Sequence, residues 1–393
     1  MAILVLNCGS SSIKFQLFHP RDDTELLRGA AEGIGEREGR FHCLATVSGQ
    51  RRDESQRLLL KDHRAALGLI MESLGTADIS AVGHRVVHGG EHFRQTTLLD
   101  PPTLHALADL DALAPLHNPV NRLGITTAME LFPGVPQVAV FDTAFHASLP
   151  DAASHYAIPA EWRERWGVRR FGFHGISHQY ITLETARLLG LPLAATNLVS
   201  LHLGSGASAA AVQGGRSVDT TMGMTPLEGL VMGTRSGDID PGALLYLLRN
   251  GLDVETLDRG LNRESGLLGL CGDNDMRAVT ARAAQDDADA TRALAVYCYR
   301  IRKTIGAYCA ALGRVDALVF TAGVGENNPA LREAILEGLD GFGIAIDPAL
   351  NREAGDAARA LHAADSAVAV LVIPTREELQ IAREVRALIG GAA

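Results

Sequence analysis

Leu4-Val5-Leu6-Asn7-Cys8-Gly9-Ser10-Ser11-Ser12 and Ser200-Leu201-His202-Leu203-Gly204-Ser205-Gly206-Ala207-Ser208 follow one plan. Each is an apolar strand that closes in a Gly/Ser turn and leads into a second strand. After the first turn, Ile13, Phe15 and Leu17 alternate with Lys14 and Gln16, the period of a half-buried strand. After the second, residues 207–212 run into Gly214-Gly215, a hairpin signal. The copies begin near residues 3 and 198, about half the chain apart. Two halves of similar plan facing a cleft account for 393 residues, since one domain takes roughly 100–200. Gly/Ser turns are common, so a chance likeness of two turns is the competing explanation.

Working outward, alternation over 41–47 and 57–60 predicts more antiparallel strand, and apolar runs over 79–87, 137–141, 197–203, 316–320 and 368–373 predict further strands. Helices are predicted over 62–74, 118–131, 175–189, 288–312 and 377–389, with others opening at Asp240-Pro241 and Asn328-Pro329. Asn118-Pro119 reads as an N-cap and first helical position. The class is mixed α/β.

Gly/Ser turns expose backbone N–H groups and hydroxyls with little bulk, which lets a phosphate approach closely. Three places qualify: 7–12, 204–208 and 321–325. No GxxxxGK[ST] occurs, which excludes a Walker-type loop. Gly204-x-Gly206-x-x-Ala209 matches a relaxed dinucleotide pattern, but it opens a hairpin where that pattern needs a helix.

The formal charge is 36 − 46 = −10. An acidic chain is a poor binder of nucleic acid, though a small basic pocket stays open. Cys8, Cys43, Cys271, Cys298 and Cys309 are scattered and lack CxxC spacing, so no disulfide framework or zinc knuckle is expected. The N-terminal run meets Gly and Ser too early for a signal peptide, and no apolar run reaches the roughly 18–20 residues of a membrane span. A soluble protein of a reducing compartment is expected.

Arg85 and Arg235 are single arginines among glycines, in Gly83-His84-Arg85-Val86-Val87-His88-Gly89-Gly90 and Met232-Gly233-Thr234-Arg235-Ser236-Gly237. A guanidinium fits phosphate or carboxylate oxygens through two parallel donors; the plain alternative is a solvated surface residue. His84, His88 and His92 are spaced by four, but Gly89-Gly90 breaks any helix that would align them as metal ligands. His174, just before a predicted helix, serves equally as a base, a phosphate donor or a cap residue. Asp142 follows a strand directly, a usual place for catalysis, while a turn or N-cap role explains it as well. Glu377-Glu378 opens the last helix, where the dipole alone favours carboxylates.

Taken together, the sequence resembles the acetate kinase family. The likeness covers nearly the whole chain through NCGSSSIKF (7–15), GHRVVHGGE (83–91), PLHNP (115–119), FDTAFH (141–146), FGFHGISH (171–178), HLGSGAS (202–208), MGTRSGDIDPG (232–242), TAGVGEN (321–327) and PTREEL (374–379). The resemblance implies a two-domain actin-like ATPase (ribonuclease H-like) fold, with duplicated mixed β-sheet cores around a nucleotide cleft. It places one domain at 1–146, completed by the C-terminal helix 378–393, and the other at 147–377.

By that resemblance, Asn7 and Glu377 would help hold Mg²⁺, with Mn²⁺ as an alternative, largely through water. Lys14, Ser10 and Ser12 would sit by the phosphates. Arg85 and Arg235 would bind the carboxylate and the transferring phosphoryl group. His174 would donate to that group in the transition state, and Asp142 would position the site. Val87, Leu116, Phe173 and Pro226 would line a pocket for the acetate methyl. His202, Gly204, Ser205, Gly206, Gly323, Val324, Gly325 and Asn327 would hold the nucleotide. The implied reaction is reversible transfer from ATP to acetate, giving acetyl phosphate and ADP, in a cytoplasmic homodimer with no nucleic-acid or membrane partner. The alternatives are a propionate or butyrate kinase and a non-catalytic nucleotide-binding regulator. Ser205 and Arg376 each stand where the family usually has Asn, so nucleotide preference and rate are the properties open to change.

Overall fold

The structure, a computed structural model, describes residues 1–47 and 50–390. Two compact units form, one of Met1–Ala147 with Arg376–Ala393 and the other of Ser148–Thr375. Residues 391–393 of the expected C-terminal segment lie outside the described residues.

The first unit is built on β1 (Ala2–Cys8), β2 (Ser12–Phe18), β3 (Glu25–Glu32), β4 (Gly39–Val47), β5 (Gln50–Leu58), β6 (Ile79–Val86), β7 (Thr97–Leu98) and β8 (Gln137–Phe141). Their order is β5-β4-β3-β2-β1-β6-β8-β7. Strands β1, β6 and β8 run parallel, and β1 to β5 form an antiparallel meander. Ile3 to Leu6 are buried without alternation, as a central strand covered on both faces requires. At the edge, β5 carries Asp53, Glu54 and Arg57, charges that discourage pairing with another chain. The Glu377–Gly390 helix packs on β1 and β6. Its Ile381 and Val385 approach Gly83 so closely that a Cβ there would lie 2.8 Å from each, so the glycine permits the contact.

The second unit uses β9 (Asn197–Leu203), β10 (Ala207–Gln213), β11 (Arg216–Thr220), β12 (Ala317–Thr321), β13 (Arg359–Ala360) and β14 (Ala369–Val372), ordered β11-β10-β9-β12-β14-β13. Strands β9, β12 and β14 are parallel, and β9-β10-β11 are antiparallel. The pairing β11-β10-β9-β12-β14 therefore repeats β3-β2-β1-β6-β8, and the likeness of the two Gly/Ser turns is a likeness of whole sheets. Gly214 and Gly215 both have positive φ, as a tight hairpin turn requires. Ala207 and Ala209 to Ala211 are fully buried, and these small side chains let the 25-residue Ala288–Leu312 helix pack against β10.

Two local expectations are corrected. Asn118 is not a cap: it lies inside the Asn118–Leu131 helix, and His117 at the cap position makes no side-chain cap bond. Residues 321–325 are not an open loop: Ala322–Asn327 is helical directly after β12. Among the described residues, no helix is long and apolar enough to cross a membrane.

Candidate active site

In the first unit, the C-terminal ends of β1, β6 and β8 lie side by side, the usual position of a site in parallel sheets. Asn7 is near the end of β1, Arg85 near the end of β6, and Asp142 just past β8. Asp142 N donates to Val86 O at 2.9 Å, which fixes the carboxylate beside β6. Arg85 donates to Asp142 through Nε at 3.1 Å and Nη2 at 2.6 Å, and to Asn7 Oδ1 through Nη1 at 3.4 Å. Burial alone would favour the neutral guanidine; Asp142 and Glu377 outweigh it and hold Arg85 firmly cationic. Burial raises the Glu377 carboxyl to about 7; Asp142 and Glu378 add to the rise, while Arg85 and Lys14 oppose it. The structure thus brings together Asn7, Lys14, Arg85, Asp142 and Glu377.

The β1–β2 turn is closed by Gly9 N donating to Ser12 O at 2.7 Å, with Gly9 O held by His63 Nε2 at 2.8 Å. Ser10 is exposed and Ser12 partly so, leaving their hydroxyls accessible. Val87 is buried, whereas Leu116 is 46% exposed within the chain. Arg376 lies 3.8 Å from Glu25, which turns the extra cation toward the meander. His84 is taken up by Gln137 Oε1 at 2.8 Å, and burial lowers its ring to about 4.

In the second unit, the turn after β9 and the helix after β12 lie at the ends of adjacent parallel strands. Gly204, Ser205, Gly323, Val324 and Asn327 line a pocket of about 720 Å³, together with Asn274, Met276, Arg277 and Tyr297. Gly325 does not join them; a Cβ there would meet Leu203 and Phe320 at 3.6 Å, so it lets the helix sit close to the sheet. Ala322 takes a positive φ of 63°, a strained conformation for a residue other than glycine.

Next to this pocket stand His174 and Arg235. His174 has φ 55° at the start of the Gly175–Leu189 helix and makes no cap bond with its side chain. That ring instead stacks on His202 with centroids 4.2 Å apart. Arg235 is carried on a loop closed by Asp238 N donating to Gly229 O at 2.9 Å. Its Nη1 donates to Pro226 O at 3.3 Å, and no carboxylate partners it among the described residues. Burial lowers its guanidinium from the ordinary value. A point one Cβ bond above Gly206 lies 3.4 Å from His174 Cε1 and 3.7 Å from Arg235 Nη1. The two groups therefore face one spot. Phe173 is buried beside them in sequence.

Several contributors were not legible as site residues. Asn121 Oδ1 accepts from Val87 N at 3.1 Å while its Nδ2 donates to Cys8 O at 2.7 Å. Asn118 accepts from His88 N at 3.1 Å and donates to His88 O at 3.0 Å. Two amides three residues apart on one helix, a residue type that usually weakens helices, were the available signal. Ser177, His178, Ser200 and Ser208 form buried contacts around His174 and His202. Asn274 and Arg277 gave no signal, because their role depends on a fold-over of distant sequence.

Residues 2–383 match the model of the acetokinase family. The chain belongs to the acetokinase family. It is 51% identical over 395 residues to the acetate kinase of Streptomyces coelicolor (strain ATCC BAA-471 / A3(2) / M145), covering 98% of this chain and 97% of that protein. The crystal structure of Porphyromonas gingivalis acetate kinase is similar at TM-score 0.91 and 38% identity, with 99% of each chain covered. That of a propionate kinase from Francisella tularensis subsp. tularensis SCHU S4 is similar at TM-score 0.91 and 40% identity, with 98% of each covered. The acetokinase assignment and the repeated sheets together establish the two-domain actin-like α/β fold.

Proposed function

We propose that this acetokinase-family protein transfers the γ-phosphoryl group of ATP to acetate, giving acetyl phosphate and ADP, reversibly and in line. A carboxylate oxygen forms the new P–O bond, and the bond to the β–γ bridging oxygen breaks with its electron pair leaving on ADP. Acetate is already ionised at neutral pH, so no general base is needed. What the reaction needs is position and positive charge around the equatorial oxygens.

The observation that carries this reading is Arg235: a partly buried cation with only a carbonyl and a thioether as side-chain partners, facing the same spot as His174. Such a group gains most from an arriving anion. Arg235 and His174 are assigned to the transferring phosphoryl group. Arg85, oriented by Asp142, is assigned to the acceptor carboxylate, and Val87, Leu116, Phe173 and Pro226 to its methyl group. Lys14, Ser10 and Ser12 are assigned to phosphates, and the 720 Å³ pocket of the second unit to the nucleotide.

Asn7 and Glu377 suit a magnesium ion. They offer hard oxygen donors in small number, as an ion that keeps most of its water prefers. A carboxyl held near neutrality by burial also gains from a nearby cation. When bound, the ion would neutralise phosphate charge. Family membership supports ATP and ADP as substrates, a cytoplasmic setting and a homodimer. The same reading takes 1–146 with 378–393 as the acceptor domain and 147–377 as the nucleotide domain.

The test traps acetyl phosphate as its hydroxamate, with ATP, Mg²⁺ and acetate. A coloured product dependent on all three is expected. None at high protein concentration would favour a non-catalytic regulator. The likeness to a propionate kinase supports a second reading, and propionate in place of acetate tests it.

A further inference from the structure

We propose that Ser200, His178 and Ser208 form a one-way hydrogen-bond relay that fixes the proton of His174 on Nε2. The inference deepens the role given to His174 above and rests on that role for its catalytic consequence.

The relay is a chain of three contacts. Ser200 Oγ lies 2.9 Å from His178 Nδ1, His178 Nε2 lies 2.8 Å from Ser208 Oγ, and Ser208 Oγ lies 2.9 Å from His174 Nδ1. Ser200, His178 and Ser208 are fully buried, so water cannot meet an unmet demand. Ser200 and Ser208 come from adjacent strands, β9 and β10, and His178 from the first turn of the Gly175–Leu189 helix.

Each serine hydroxyl has one hydrogen to donate. Among the described residues, His178 Nδ1 is the sole hydrogen-bond partner of Ser200 Oγ. A buried hydroxyl hydrogen without an acceptor is penalised, so Ser200 donates and His178 Nδ1 accepts. A neutral imidazole then carries its hydrogen on the other nitrogen, and His178 Nε2 donates to Ser208 Oγ. Ser208 is left to donate its own hydrogen to His174 Nδ1. The ring proton of His174 therefore sits on Nε2.

The opposite polarity would leave the Ser200 hydrogen unmet. It would also put a lone pair on His174 Nε2. That nitrogen lies 3.5 Å from the point above Gly206 that Arg235 Nη1 approaches at 3.7 Å. A lone pair there would repel a phosphoryl oxygen; an N–H donates to it. The donor is thus the Nε2–H tautomer, and the relay selects it. Ser200, His178 and Ser208 are positioning residues, since none is assigned contact with the reacting atoms.

Two-bond ¹H–¹⁵N spectra of the full chain, labelled at histidine nitrogens, read the tautomers directly. In the wild-type protein we expect His174 and His178 both as Nε2–H forms. Either ring found as Nδ1–H overturns the proposal, with no variant needed. Ser208→Ala should mix the His174 tautomers and lower kcat about tenfold, about what one lost neutral hydrogen bond is worth, with both KM values within about twofold. Ser208→Thr should restore both signals. If Ser208→Ala does not fold, Ser200→Ala tests the far end of the relay and should mix the tautomers of both rings. Unmixed tautomers in a folded variant overturn the proposal. His174→Ala separates the two claims. Full kcat in that variant removes the catalytic role of His174 while the spectra still decide the relay; lost kcat with a wild-type Nδ1–H ring removes the relay alone.

Discussion

Replacing Gly206 by alanine asks whether the transferring group passes between His174 and Arg235. The new methyl carbon would lie 3.4 Å from His174 Cε1, 3.5 Å from Nε2 and 3.7 Å from Arg235 Nη1. These are close to ordinary contact distances, and Gly206 does not need a positive φ. The fold should accept the methyl at a cost below about 1 kcal/mol, which moves Tm by no more than about 4 °C. The same methyl fills the place where an oxygen would meet both donors. Losing one such donor costs about 10²–10³ in kcat, so blocking both predicts at least about a hundredfold loss. Coupled ADP release gives kcat, and circular dichroism gives Tm. A kcat within threefold of the parent at unchanged Tm would mean that the phosphoryl group does not pass between His174 and Arg235.

Other outcomes follow from the first unit. Glu377 has a folded value of about 7 against an ordinary 4.5. Folding therefore favours its protonated form, and the metal-free protein loses up to about 3 kcal/mol as pH climbs from about 4.5 to about 7. Glu377→Gln should raise Tm at pH 8, match the parent near pH 4.5 and weaken Mg²⁺ binding by titration; equal Tm values at pH 8 would contradict this. Arg85→Ala strands Asp142, whose side chain is 2% exposed, and should cost about 3–5 kcal/mol in urea unfolding. Adding Asp142→Asn should recover most of that stability and none of the activity; no recovery would mean the pair is not what holds the strand ends together. Val87→Ala should raise the propionate-to-acetate ratio of kcat/KM about tenfold, within the range one methylene supports. An unchanged ratio would remove Val87 from the acyl pocket.

The central strands and the long helices were legible because their signals are local. The continuous apolar run of β1, the alternation of β2 and the Gly214-Gly215 turn each follow from a short window of sequence. Asp142 and Arg85 stood out by type and place, since a charged residue at a strand end needs a reason. Asn118 was misread because Asn before Pro is a strong capping pattern, yet here the amide serves the backbone of His88, thirty residues earlier. The 321–325 segment was misread because its glycines suggest a loop, whereas the turn of helix after β12 is set by packing against Leu203 and Phe320. Ser200 and Ser208 were invisible as partners of His178. Only the pairing of β9 with β10 brings them to one ring, and serine in a strand is unremarkable.

The proposed reaction is the phosphorylation of acetate by ATP. The most direct measurement is kcat/KM for acetate, propionate and butyrate with the purified protein, ATP and Mg²⁺, beside Arg235→Ala. The highest value is expected for acetate, with a severe fall in kcat when Arg235 is removed. A clear propionate preference would contradict the assigned acceptor, and full turnover in Arg235→Ala would contradict the site itself.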